Sequence, residues 1–249
     1  MDIVTDPVFY AVAIPAVLLI GLAKSGFASG FGSLATPLMA VAVTVPQAAG
    51  ILLPVLLAAD VAGIQRLYRW RDPVLLRLLL PAGLLGIAVG ALLFGVLPAK
   101  TVAGVVGALT LAFVAQRLLV PPRTAAKPPP RWLGFTLAAA SGFTSFVAHA
   151  GAPPINAYVL PLRLAPIVFA GTMATFFGAI NLAKVVPYAF LGLLDARNLA
   201  TSLVLMPLEP LGVWIGVRLV DRVSTRWFYR LAYTGMLLTG IKLLSDGLR

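Results

Sequence analysis

Lys24-Ser25-Gly26-Phe27-Ala28-Ser29-Gly30-Phe31-Gly32-Ser33-Leu34-Ala35-Thr36-Pro37 is polar and glycine-rich, yet strongly apolar sequence lies on both sides of it. A chain that crosses hydrocarbon must satisfy every backbone N–H and C=O internally, which favours uninterrupted helix. An interruption of this kind is tolerated where protein buries it or where it lines a cavity. Part of the stretch recurs. Ser25-Gly26-Phe27-Ala28-Ser29 returns as Ser141-Gly142-Phe143-Thr144-Ser145, and Pro37 returns as Pro153, each 116 residues later. The reading is two related halves that meet at a central site.

Of the 249 residues, 60% are hydrophobic and 11% charged, against about 25% charged in soluble domains. That balance predicts an all-α integral membrane protein, with lipid as its surroundings. The formal charge of +11 would point to nucleic acid in a soluble protein. Here the basic residues fall mostly between apolar segments, the pattern of cytoplasmic loops, so no nucleic-acid partner is expected. The sequence has no cysteine, which excludes disulfides, thiolate chemistry and cysteine metal sites. With one histidine and eight acidic residues, neither a metal site nor a cofactor is expected. Asp2 and Asp6 stand where a signal peptide would be basic, so no cleaved leader is expected.

Apolar segments run over 8–23, 27–44, 47–67, 73–97 and 101–120, and again over 132–149, 153–162, 166–190, 199–219 and 227–244. Between the two sets lies Pro121-Pro122-Arg123-Thr124-Ala125-Ala126-Lys127-Pro128-Pro129-Pro130-Arg131, which cannot be helical because proline lacks the N–H and restricts its predecessor. The expected organisation is a first repeat over 1–120, a cytoplasmic linker over 121–131 and a second repeat over 132–249. A spanning helix needs about 20 residues, so 8–23 and 153–162 are short. Both flank the glycine-rich stretches, which predicts broken or re-entrant helices there.

The repeat extends further. Gly50 matches Gly171 and Asp60 matches Asn181, both 121 residues on. Pro81, Gly86 and Gly90 match Pro207, Gly212 and Gly216, all 126 residues on, and keep a Gly-x-x-x-Gly spacing that lets helix backbones approach closely. Charge sets the orientation. Arg66, Arg69 and Arg71 mark one cytoplasmic loop, Arg117, Arg123, Lys127 and Arg131 another, and Arg218, Arg222, Arg226 and Arg230 a third. The loops at 97–100 and 195–197 are poor in positive charge and belong outside. Matching loops therefore face opposite sides, which predicts two inverted repeats of about five segments each, with both termini outside.

Interrupted helices at the meeting point of inverted repeats are where transporters hold substrate, and helix N-termini suit anions. Around Lys24 stand Ser25, Gly26, Ser29, Gly30 and Gly32, with Ser33 and Thr36 beyond. The second half offers Ser141, Thr144, Ser145, His149 and Asn156. These are mainly donors, whereas a cation site would want carboxylates. The expected substrate is a small oxyanion. Each residue has a plainer reading: small residues also serve helix packing, Lys24 also serves as a positive-inside charge, and His149 as a hydrogen-bonded core histidine. Three ionisable residues inside apolar segments, Asp60, Lys184 and Glu209, are candidates for coupling to a proton. The plainer alternatives are an ion pair between Asp60 and Lys184, and a Glu209 that reaches a lysine or a polar pocket.

Gly21-Leu22-Ala23-Lys24-Ser25-Gly26, continuing through Gly30-Phe31-Gly32 to Pro37-Leu38 and partly repeated over 141–154, resembles the TauE/SafE family, the sulfite exporter or four-toluene-sulfonate-uptake proteins. Length, hydropathy and the duplicated motif agree over nearly the whole chain. The second motif departs from the pattern: Phe146-Val147-Ala148-His149-Ala150-Gly151 stands where the family shows a glycine cluster. The resemblance implies outward transport of sulfite, sulfonates or related sulfur anions across the bacterial inner membrane, and proton coupling with it. The leading reading is a secondary transporter working by alternating access, with a small anion as its partner and its oligomeric state open between monomer and homodimer. An anion channel on the same scaffold is the first alternative. An intramembrane hydrolase using Ser145 and His149 is the weaker one, because no orienting acid flanks that pair and no arginine precedes Arg66 to hold a phosphate.

Overall fold

The computed structural model describes residues 3–24, 31–94, 96, 98–119 and 129–219, and part of 234–248; the described residues form helices and their connections, with no strand among them. Helix α1 runs Pro7–Lys24. Asp6 caps it, its Oδ1 accepting the Val8 N–H at 2.9 Å, and proline is well placed in a first turn where its N–H is not needed. A 3-10 turn over Phe31–Leu34 leads into α2, Ala35–Met39. Helix α3, Val45–Leu67, starts at Thr44, whose side chain accepts the Gln47 N–H. Helix α4, Pro73–Phe94, is capped by Asp72, which accepts from Val74 and Leu75, both at 2.9 Å. Helix α5 is Ala99–Leu119.

The rest of the described chain is helical too. Helix α6, Arg131–Ala148, breaks at His149 and is followed by the short α7, Ala152–Val159, and a 3-10 turn over Leu160–Leu162. Helix α8, Pro166–Phe190, leads to α9, Ala196–Leu205, and α10, Leu208–Leu219. Among the described residues, five helical stretches are long and apolar enough to cross a membrane: Pro7–Lys24, Val45–Trp70, Pro73–Phe94, Pro166–Phe190 and Ala196–Ile215.

Several sequence boundaries need correction. The 8–23 segment is not short, since α1 takes in both flanks and reaches 18 residues. The 153–162 segment is short as expected: α7 rises about 12 Å at 1.5 Å per residue, against a hydrocarbon core of about 30 Å. The 27–44 segment is likewise no single helix over its described part, because α2 ends at Met39. Pro207 divides 199–219 into α9 and α10, whereas Pro81 leaves α4 continuous. Arg131 belongs to α6 rather than to the linker, whose residues 121–128 lie outside the described residues, as does most of 227–236.

The polarity of this fold is that of a lipid-bathed bundle. Leu92, Leu182, Val186 and Phe190 are exposed, while Asp60, Asn181 and Lys184 are buried. Close helix approaches are built on glycine. A Cβ at Gly86 would collide with the Ala139 carbonyl, and one at Gly212 would strike that of Leu18 at 2.6 Å. A Cβ at Gly142 would collide with Gly83, and one at Gly21 with Glu209. These contacts join α4 to α6 and α1 to α10. Residues of α6 follow their α1 counterparts by 121, and residues of α10 follow those of α4 by 126. The packing thus registers Gly142 with Gly21, five residues away from the register of the 25–29 and 141–145 motifs. Gly50 and Gly171, 121 apart, meet Leu193 and Leu67, 126 apart. Each contact lies between the start of one long helix and the chain at or just past the end of the other, so α3 and α8 run antiparallel.

Candidate functional site

Where α3 and α8 cross, Asp60 meets Asn181. Asp60 is 2% exposed and its carboxylate is held from two sides. Asn181 Nδ2 donates to Oδ2 at 2.5 Å, and the Lys24 ammonium pairs with Oδ1. Lys24 is the last residue of α1, its side chain 28% exposed. A buried carboxylate survives at such a depth only with partners of this kind. The sequence offered Lys184 as partner of Asp60. The structure gives that place to Lys24, because α1 ends beside the middle of α3.

Lys184, one turn beyond Asn181 on α8, is fully buried. Its Nζ lies 3.1 Å from both the carbonyl oxygen and the Oγ of Ser145, and 2.8 Å from His149 Nδ1. His149 Nε2 lies 2.9 Å from the carbonyl oxygen of Ala49 on α3. A carbonyl can only accept, so Nε2 carries the hydrogen and Nδ1 is free to accept from the lysine. The imidazole is therefore neutral and bridges α3 to α8.

The helix break that carries His149 is built from local bonds. His149 has φ 52°, a left-handed position that costs a non-glycine residue about 1–2 kcal/mol. Its N–H donates to Ser145 O at 3.0 Å and that of Ala150 to Thr144 O at 3.1 Å, the closing bonds of a helix C-terminus. Ser141 Oγ donates to Gly151 O at 2.6 Å, and Thr144 Oγ1 lies 2.9 Å from Ala150 O. Both hydroxyls are thus spent on shaping the turn. Tyr188 donates to Phe146 O at 2.5 Å and packs its ring on Phe146, so two α8 side chains grip the last turn of α6.

Other donors are unspent. Ser33 Oγ and Thr36 Oγ1 are buried with no hydrogen-bond partner, and the ammonium of Lys24 has donors beyond the one given to Asp60. The turn that holds Ser33 packs on α1 and also meets α7, which carries the buried Asn156. Gly32 has ordinary room, with Ala23 Cβ 3.7 Å from where its own Cβ would stand. Ser25, Gly26, Ser29 and Gly30 lie outside the described residues. Glu209 is half-buried in the first turn of α10, and Lys24–Asp60 is the ion pair found among the described residues. No group of side chains that could hold a metal occurs among them either.

A polar cluster at the crossing of apolar helices, with cations and hydroxyl donors outnumbering its single buried carboxylate, is the setting of a solute path rather than of a soluble enzyme. The family model described as sulfite exporter TauE/SafE matches residues 13–243. The chain belongs to that family. TauE/SafE proteins are membrane exporters of sulfite and related sulfur anions, not enzymes, and this chain is a multi-pass member that takes a small anion and sits in lipid. No curated protein and no solved structure matches it.

The structure brings together Lys24 with Asp60, and Ser145 and His149 with Lys184. Glu209 makes no hydrogen bond to either group, but it lies within electrostatic reach of Lys24 and Asp60. Sequence reasoning missed Asn181 as a site residue, although its match to Asp60 was visible. It also missed the Ala49 carbonyl, for which a backbone atom gives no sequence signal.

Proposed function

We propose that this TauE/SafE chain exports sulfite or a sulfonate across the bacterial inner membrane by alternating access, as a secondary transporter built from two inverted repeats with broken, re-entrant helices at their centre. The observation that carries the reading is the Asp60–Asn181 bond. These residues hold matching places in the two halves, and the helices that bear them are antiparallel. A two-fold axis relating antiparallel spanning helices lies in the membrane plane, and halves so related can rock about a fixed central site.

Lys24 and the glycine-serine stretch Ser25, Gly26, Ser29, Gly30 and Gly32 supply one wall of the anion site, with Ser33 and Thr36 as further donors. Asn156 and Lys184, the latter held by Ser145 and His149, supply the other, over the turn that Ser141 and Thr144 shape. A proton accompanies the anion. Radiolabelled sulfite tests this in proteoliposomes preloaded with unlabelled sulfite. Alternating access predicts transient accumulation of label above equilibrium, driven by exchange. A channel gives simple equilibration with no overshoot, and a protein that is neither transporter nor channel for this anion gives no uptake above empty vesicles.

A further inference from the structure

Lys184 is a fully buried lysine whose hydrogen-bond partners are all neutral. They can be counted in two ways. An ammonium has three hydrogens to give, and Ser145 O, Ser145 Oγ and His149 Nδ1 accept one each. A neutral amine has two hydrogens and one lone pair. The hydrogens then go to Ser145 O and His149 Nδ1, and the Ser145 hydroxyl turns round to donate to the lone pair. The amine state leaves no polar atom unsatisfied, whereas the ammonium state places all three of its hydrogens but frees the Ser145 O–H for an incoming acceptor; the two differ by one proton and one hydroxyl rotation. His149 is kept out of the exchange because its Nε2–H is held by Ala49 O.

The other titratable groups around the lysine do not have this freedom. Asp60 of α3 is fixed by Lys24 of α1 and by Asn181. Tyr188, on α8 itself, donates to Phe146 O. Arg77 of α4 is exposed, and the chain at Leu67–Arg71 that carries Arg69 and Arg71 sits at the far end of α8, against Gly171. Glu209 of α10 makes no hydrogen bond to the lysine, to Ser145 or to His149. Asp60 and Lys24 are close enough to act on Lys184 through space, with opposite signs.

We propose that Lys184, with Ser145 and His149 as its two positioning residues, is the proton-carrying site of this transporter. The inference rests on the transport reading above and assigns its coupling group. As the sulfur anion arrives, the amine lone pair takes a proton from water on the open side. A new N–H bond forms, and the Ser145 hydroxyl turns from donor to acceptor. As the anion leaves, the same proton returns to water on the other side. A positive lysine attracts the anion and the anion stabilises the positive lysine, so proton and anion travel in the same direction.

Proton uptake on binding tests this in detergent-purified full-length protein. Calorimetry in two non-sulfonate buffers of different ionisation enthalpy counts protons bound per anion, with sulfite and isethionate as probes. Isethionate keeps one charge throughout, so a proton taken up with it settles on the protein. Wild type should take up as much as one proton per anion in alkaline buffer, and Lys184→Gln should take up none while binding more weakly. Should Lys184→Gln fail to give a monodisperse protein, Ser145→Ala decides. The charge-assisted bond it removes from the ammonium is stronger than the one it removes from the amine, so the pH profile of proton uptake should move toward acid by a unit or more. Wild type that binds anion without proton uptake overturns this inference and leaves the transport reading standing. So does Lys184→Gln with full uptake, or Ser145→Ala with an unmoved profile. Wild type that binds neither probe sinks the transport reading itself.

Discussion

Asp60→Asn keeps the shape of the residue and the oxygen that Asn181 Nδ2 donates to, removes the charge that Lys24 pairs with, and turns an amide NH2 instead of an acceptor toward the Lys24 ammonium. Two unit charges about 4 Å apart interact by about 4 kcal/mol at an effective dielectric of 20. With the Lys24 side chain 28% exposed, solvent reduces that figure, and about 2 kcal/mol is the expected loss for Asp60→Asn. Lys24→Met should cost a similar amount, because it leaves the 2%-exposed carboxylate without its counter-charge. The double variant removes both charges together, so it should be no worse than either single one, which gives a coupling energy of about 2 kcal/mol. Thermal unfolding of the four detergent-purified proteins reads the cycle, calibrated by denaturant titration. Binding separates the two roles of the lysine: the double variant is no less stable than either single one yet does not recover anion affinity, whereas Asp60→Asn alone binds the anion at least as tightly as wild type. Single effects that add to within about 0.5 kcal/mol would refute the ion pair, and with it the arrangement of the central site.

Lys24→Ala should weaken sulfite binding at least tenfold, about 1.4 kcal/mol, while Lys24→Arg retains part of it; an unchanged dissociation constant by calorimetry makes Lys24 a topology charge only. Cysteines introduced at Ala125 and Ala196 should react with an impermeant maleimide from opposite faces of sealed vesicles, and same-side labelling contradicts the inverted repeat. Gly86→Leu forces α4 away from the Ala139 carbonyl, and Gly212→Leu forces α10 away from that of Leu18; each should lower stability by more than 2 kcal/mol, and similar losses for the two would agree with their matching contacts. Glu209→Gln should leave proton uptake on anion binding unchanged, since Glu209 lies apart from Lys184, Ser145 and His149; loss of uptake in that variant would move the coupling group to α10.

Composition and the run of apolar segments were enough for the all-α membrane class, because long continuous apolar runs satisfy their backbone in a bilayer as helices, whereas barrel strands alternate apolar with polar residues. The proposed halves rest on glycine and proline, residues whose roles are backbone roles and so persist in the sequence pattern. Their register was less legible. Ser141-Gly142-Phe143 looks like Ser25-Gly26-Phe27, yet the packing matches Gly142 with Gly21, since close approach depends on where a Cβ is missing and not on the neighbouring letters. Length misled at 8–23, because a helix end is set by caps and breaks rather than by the last apolar residue. At the site, Lys24, Asp60 and Lys184 stood out as charges in apolar surroundings, but their pairing did not. That pairing depends on α1 ending beside the middle of α3 and on His149 turning left-handed, and both are properties of the assembled chain.

In the proposed inverted repeat, a residue at the crossing on the two-fold axis meets its own counterpart. Two copies of one half, joined only by association, would set aspartate against aspartate at the place of Asp60 and Asn181, and like charges at that depth repel. Asparagine against asparagine would be tolerated but would offer Lys24 no counter-charge. Joining both halves in one polypeptide frees each side of the crossing to vary alone, and here one side is an acid and the other the amide that donates to it. The covalent connection thereby permits a chemical asymmetry that a symmetric pair of identical subunits cannot hold.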